Sequence, residues 1–223
     1  MKSTLIVPTF NEIETVPLTL PAIDRAWVDE IIVVDNHSTD GTIEWCRRHG
    51  FQVYLQKAPG YGNGIREAVQ HATGDIIIDF PPDGSSLPDK IPALIQKVGE
   101  GYDLVLASRY REGARSEDDD ILTAIGNWGF TKLTNLFFGT AYTDVLVGYR
   151  AYRKKSFEAL SLDAAHLELV LQSSIRFATH GFRVGEIAAD EKKRIGGVRK
   201  MRPFKTGLKL LSVMAKELFH KNA

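Results

Sequence analysis

The 223-residue chain balances 28 Lys+Arg against 28 Asp+Glu, a formal net charge of +0, with 43% apolar and 25% charged residues. That composition excludes a disordered tail, a collagen and a coiled coil, and a chain of this size buries roughly 70% of its unfolded surface without needing staples. The lone Cys46 has no internal disulfide partner, which makes a reducing cytoplasm the expected compartment.

The short apolar stretch before Pro8 is no signal-peptide core, and no apolar run approaches the ~20 residues that cross a bilayer. STLIV at Ser3–Val7 reads as a buried strand, DEIIVVD at 29–35 as a second, QVYL at 52–55 as a third and DIIIDF at 75–80 as a fourth. Helical spacing fills 11–25, 41–49 and 62–72 between them. Continuous Ile and Val strands joined by helices predict a parallel sheet, whose ligands bind beyond the carboxyl ends of the strands. Polar residues gather there: Thr9, Asn11 and Glu12 after the first strand, Asp35 to Ser38 after the second, Asp83 and Gly84 after the fourth.

Further along, Asp103–Ala107 reads as a strand, 108–120 as a polar loop and 121–138 as a long helix. Tyr149–Tyr152 is a short strand, His166–His180 a helix and Phe182–Ala188 a strand. Lys205–His220 is an amphipathic helix with Leu208, Leu210, Leu211, Met214, Leu218 and Phe219 on or near one face. Trp128, Phe130, Phe137 and Phe138 read as core, SEDDD at 116–120 as a solvated loop, and Cys46 as packing. The histidines lack zinc-ligand spacing, and basic residues confined to one loop argue against nucleic-acid binding. No repeat or low-complexity linker divides the chain, so 1–223 is expected to form one domain.

Seven segments, in order, carry a resemblance: VPTFNE at 7–12, VVDNHSTDGT at 33–42, GYGNGIREAVQHATGD at 60–75, PDG at 82–84, SRY at 108–110, TDVLVGYRAYRKKSFEAL at 143–160 and RIGGVRKM at 194–201. Together they resemble glycosyltransferase family 2, nucleotide-sugar enzymes of the GT-A fold, and most closely its dolichyl-phosphate mannosyltransferase-like members. The resemblance implies an α/β fold with a mostly parallel sheet flanked by helices. It further implies a nucleotide-sugar-binding half at about 1–112 and an acceptor-binding half at about 113–223.

By the same resemblance, Pro8, Thr9 and Glu12 line the base and ribose pocket and Asp35 binds the base, beside Asn36 where the family has a second acid. Arg66 helps to position the nucleotide. Arg109, Arg150, Arg194 and Lys200 supply positive charge for the diphosphate. Asp144 stands next to the acceptor, as a general base for a hydroxyl or as a positioning group for a phosphate, and Glu168 falls where relatives carry an acid. The family's Asp-x-Asp reads Pro81-Pro82-Asp83 here, which leaves Asp83 alone to hold the implied Mg²⁺ or Mn²⁺.

The implied reaction is inverting transfer of a sugar from a nucleoside diphosphate donor to a polyprenyl phosphate or other lipid-linked acceptor, by an enzyme peripheral on the inner face of the membrane. The sequence leaves open a hydroxyl of a surface glycan as acceptor, and a catalytically weakened nucleotide-sugar-binding subunit. A homo-oligomer or a membrane-anchored partner subunit fits the same residues.

Overall fold

The computed structural model describes residues 1–196 and 202–221. Seven strands form one sheet: β1 (Ser3–Thr9), β2 (Glu30–Asp35), β3 (Gln52–Leu55), β4 (Ile76–Asp79), β5 (Leu104–Ser108), β6 (Arg150–Arg153) and β7 (Val184–Ala188), in the order β3-β2-β1-β4-β6-β5-β7. Among the described residues eight α-helices accompany them: α1 (Val16–Thr19), α2 (Thr42–Arg48), α3 (Tyr61–His71), α4 (Ile91–Gly99), α5 (Ile121–Phe138), α6 (Lys154–Glu158), α7 (Glu168–Thr179) and α8 (Pro203–Lys221).

Only β6 runs against the rest, pairing antiparallel with both β4 and β5. The carboxyl ends of β1, β2, β4, β5 and β7 therefore share one rim, and β6 begins at it. Leu5, Ile6, Val7, Ile32, Val33 and Ile76 to Ile78 are almost wholly buried. Each such side chain contributes on the order of 1.5–3 kcal/mol of transfer free energy, so strands covered on both faces need no alternation. Cys46 packs into this core from α2, fully buried, where desolvation and then the nearby Asp35 charge push its thiol up to about 12.

The helix expected over 11–25 is corrected: only Val16–Thr19 is α-helical, with a 3₁₀ turn at Arg25–Trp27. Pro17 is tolerated in the first turn, but Pro21 follows the C-cap Leu20 and cannot continue the ladder. Helix α5 fits its expected span, with Asp120 accepting from the Thr123 N–H at 2.8 Å and Gly139 left-handed at its end. Its outer face departs from the expected core. Phe138 is buried, yet Trp128 is 64% exposed and Phe137 44%. Helix α8 packs on α5 and α7 through Leu210, Met214 and Glu217, three positions at helical spacing, and turns Phe204, Leu208 and Leu211 outward.

No helix among the described residues is long and apolar enough to cross a membrane.

Candidate active site

A cleft of about 1030 Å³ opens along the shared rim. Its floor and near wall come from the turns after β1 and β2. Thr9 and Asp35 are register partners in the sheet, and the Thr9 hydroxyl donates to Asp35 Oδ2 at 2.6 Å. The Ser38 hydroxyl donates to the same oxygen at 2.6 Å, and the Ser38 N–H donates to Oδ1 at 2.7 Å. Asn11 and His37 both take left-handed conformations, with φ of 54° and 59°, a strain held by neighbouring bonds. Asn11 Oδ1 accepts from the Thr39 N–H at 2.9 Å, and a ring nitrogen of His37 lies 2.9 Å from the Gln56 carbonyl. Asp40 joins the two turns, accepting from the Ile13 N–H at 3.0 Å and the Thr42 hydroxyl at 2.6 Å.

Pro8, Thr9, Glu12 and Asn36 face the cleft. Asp35 does not: it is fully buried below them, three bonds already satisfying its carboxylate. Asn36 takes the place facing the cleft, half-buried, its Oδ1 accepting from Gln56 Nε2 at 2.6 Å. Asp35 is expected from the sequence to reach the base, and its carboxylate lies off the cleft lining, bonded to Thr9 and Ser38.

Beyond β4, Asp83 ends a turn whose geometry Ser85 fixes, its N–H and hydroxyl donating to Asp83 Oδ1 at 3.1 and 2.8 Å. A strap that follows β7 crosses over this turn. The Lys192 N–H donates to the Ser85 carbonyl at 2.8 Å and the Ile195 N–H to the Asp83 carbonyl at 3.1 Å. Between these two bonds Arg194 places Nη2 2.7 Å from Asp83 Oδ2. Ile195 lies directly over Gly84, where a Cβ would stand 2.4 Å from it. Among the described residues no three His, Cys, Asp or Glu gather to hold a metal ion.

The far wall is an ion network. Arg109 grips Asp144 with Nε at 2.7 Å and Nη2 at 3.0 Å, and its backbone N–H adds a third bond at 3.1 Å. Asn127 donates to Asp144 Oδ1 at 2.8 Å. Nη1 of Arg109 reaches Glu191 at 3.2 Å and Asp119 at 3.6 Å. Burial works against the Arg109 charge, but Asp144, Glu191 and Asp119 outweigh it and hold the guanidinium well above its ordinary range. Burial likewise raises Glu191, against the pull of Arg109 and Ser116. Asp144 is fully buried, and four donated bonds occupy its oxygens.

The SEDDD segment, expected to be a solvated loop, is stitched to the residues after β7. Ser116 donates to Glu191, Glu117 pairs with Lys192 at 2.8 Å, and Asp118 and Asp119 face the cleft. Glu168, at the start of α7, also faces the cleft, 3.5 Å from the Lys209 ammonium on α8.

Two expected basic residues, Arg150 and Arg66, lie off the cleft lining. Arg150 is buried at the start of β6, donating to the Val147 and Val170 carbonyls and to Ser173, bonds that tie β6 to α7. Arg66 on α3 donates to the Leu162 carbonyl at 2.6 Å and to Asn63, away from the cleft lining, which ties α3 to the loop before α7. Lys200 lies outside the described residues. The glycine-rich stretch that precedes Arg66 is close-packed. A Cβ at Gly60 or Gly62 would stand 2.3 Å from the Ala165 or Ala164 carbonyl oxygen. Glu191, Asp119 and Asn127 were not singled out as site residues in the sequence. Their only signal there is charge or an amide at unremarkable spacing.

Residues 4–161 match glycosyl transferase family 2, well over half of the chain, and the protein belongs to that family. It is 29% identical to undecaprenyl-phosphate mannosyltransferase of Micrococcus luteus over 90% of this chain and 88% of that one. It is 28% identical to dolichyl-phosphate hexose transferase of Haloferax volcanii, over 91% of this chain and 88% of that one. Among solved structures, glucosyl-3-phosphoglycerate synthase of Mycobacterium tuberculosis in complex with Mn²⁺, UDP and phosphoglyceric acid aligns with a TM-score of 0.78 at 19% identity, covering 97% of this chain and 78% of that one. The same enzyme has been crystallised with Mg²⁺ and UDP, aligning at a TM-score of 0.77 and 20% identity over 96% of this chain and 78% of that one. The fold is GT-A-like and the protein is a glycosyltransferase.

Proposed function

We propose that the chain moves a sugar from a nucleoside diphosphate donor onto the phosphate of a polyprenyl phosphate at a membrane surface. The donor lies along Pro8, Thr9, Glu12 and Asn36, in the half formed by residues up to about 112, and the acceptor enters from the half that follows. An acceptor phosphate oxygen attacks the anomeric carbon from the face opposite the leaving group. The C1–O bond to the diphosphate breaks, and its electron pair leaves on the β-phosphate oxygen, yielding a polyprenyl phosphosugar and a nucleoside diphosphate.

The observation that carries the choice of acceptor is the saturated Asp144 carboxylate. A sugar hydroxyl must lose a proton as it attacks and so needs a general base, whereas a phosphate is already ionised at neutral pH. With four donors on Asp144, that carboxylate has no lone pair turned to an acceptor. The wall beyond it suits a long apolar tail. Leu122, Phe130, Leu208 and Leu211 line the cleft, and Ile121, Ile125, Trp128 and Phe204 extend the apolar surface outward at 81%, 62%, 64% and 81% exposure. Such a patch beside Arg202, Lys205 and Lys209 fits an interface with anionic lipid.

Radiolabelled UDP- and GDP-sugars offered with undecaprenyl phosphate in vesicles, or with a soluble glycan, test the reading. The label is expected in the lipid phase and to be released from it by mild acid. Label found only on the glycan refutes it.

A further inference from the structure

We infer that Arg194 occupies the place of a divalent cation, so that this chain holds the donor's diphosphate without a metal ion. The inference rests on the donor reading above and extends it to how the leaving group is stabilised.

Asp83 is the one carboxylate on the turn after β4, because Pro81 stands two residues before it. Its Oδ1 accepts twice from Ser85, and its Oδ2 lies 2.7 Å from the Arg194 guanidinium. A hard divalent ion on that oxygen would face a fixed positive charge at contact distance, in a site where the two side chains are only 14% and 21% exposed. The contact is built in by the backbone. The Lys192 and Ile195 N–H bonds to the Ser85 and Asp83 carbonyls lock the strap in register over the turn, and Ile195 fills the space above Gly84.

The charge arithmetic closes as well. A divalent ion on two carboxylates leaves no net charge, and one guanidinium on one carboxylate also leaves none. Arg194 Nε is buried and has no hydrogen-bond partner among the described residues. With Nη2 held by Asp83, the Nε–H is the donor left for a phosphate, on the planar fork suited to that ligand. Arg194 thus supplies the positive charge at the leaving diphosphate, with Asp83 as the residue that positions it rather than as a metal ligand.

Calorimetric titration of the purified chain with UDP and with GDP, in EDTA and in Mn²⁺, tests this. The better-bound nucleotide is expected to bind in EDTA, with affinity changed by less than about threefold when Mn²⁺ replaces it. Arg194→Ala is expected to weaken binding in EDTA by about tenfold to a hundredfold, the loss of a charge-assisted contact. Should Arg194→Ala lower the melting temperature, Arg194→Lys serves in its place, keeping the charge while losing the fork, with an intermediate loss. Pro81→Asp combined with Arg194→Ala is expected to convert the site, binding at least about tenfold more tightly in Mn²⁺ than in EDTA. Wild-type binding that needs Mn²⁺ overturns the inference and leaves the donor reading standing. Arg194 variants that bind like wild type in EDTA also overturn it. Binding of neither nucleotide in either buffer overturns both.

Discussion

On the β1–β2 side of the cleft, Thr9, Asp35 and Ser38 tie together residues that the parallel register already sets side by side. On the β5–β7 side, Arg109 meets Asp144 across 35 positions and Glu191 across 82, with Asn127 and Asp119 arriving from α5 and the loop before it. The first bank is neutral hydroxyl and amide chemistry around one carboxylate. The second is a charged cluster in which one guanidinium answers three carboxylates, Asp144, Glu191 and Asp119. A bank built from adjacent strand ends can lose one bond and keep its shape. A bank built from buried charges cannot lose one member without stranding the rest.

The largest effect should therefore come from Arg109→Ala. Removing the guanidinium leaves Asp144 buried and unpaired, and the expected destabilisation is about 3–5 kcal/mol, measured by urea unfolding. A loss below 1 kcal/mol would mean that the two banks are held alike.

Asp79 stands at the seam, on β4 between β1 and β6, and tests the contrast through pH. Burial pushes its carboxyl up to about 7, against the opposing pull of Arg150 and of the Tyr152 hydroxyl. Because the folded state holds a proton that the unfolded chain has released, its contribution is full below about pH 4 and is lost as pH rises to about 7. Asp79→Asn should flatten the fall in stability over that window, seen by comparing melting temperatures of the two proteins at a series of pH values. Parallel curves would remove Asp79 from the seam's titration.

The smallest of the three is Gly62→Ala. The added methyl meets backbone oxygen at 2.3 Å, so α3 must shift away from residues 164–166, with an expected cost of about 1–3 kcal/mol. Nucleotide binding should weaken in step with stability, since Tyr61 and His166 both line the cleft. Unchanged stability would show that this contact is soft.

The same contrast sets what the amino-acid order reveals. Runs such as IIVV and DIII mark buried parallel strands, and the polar residues just after them mark the rim, because both signals are local. Pro17 and Pro21 hid inside an apolar spacing and made a short helix look long. Pro88 and Pro92 likewise masked the start of α4, which the residue pattern did not suggest. Nothing near Arg109 announces Glu191, and nothing in SEDDD announces that it docks, since the partners come from the other end of the chain. Asp35 and Arg150 carry the right chemistry at the right strand ends, yet their side chains turn into the protein. Whether a polar group at a strand end points out or in depends on the packing around it, which spacing does not encode. Trp128 shows the reverse case, an aromatic whose exposure becomes visible only once α8 is seen to cover the opposite flank of α5.

One consequence follows from Cys46. As the single thiol, shielded completely and held protonated beside Asp35, it is inert toward alkylating reagents for as long as α2 stays seated on the sheet. Its rate of labelling is therefore a native clock for the opening of the β1–β2 half, readable by mass spectrometry without any engineered probe.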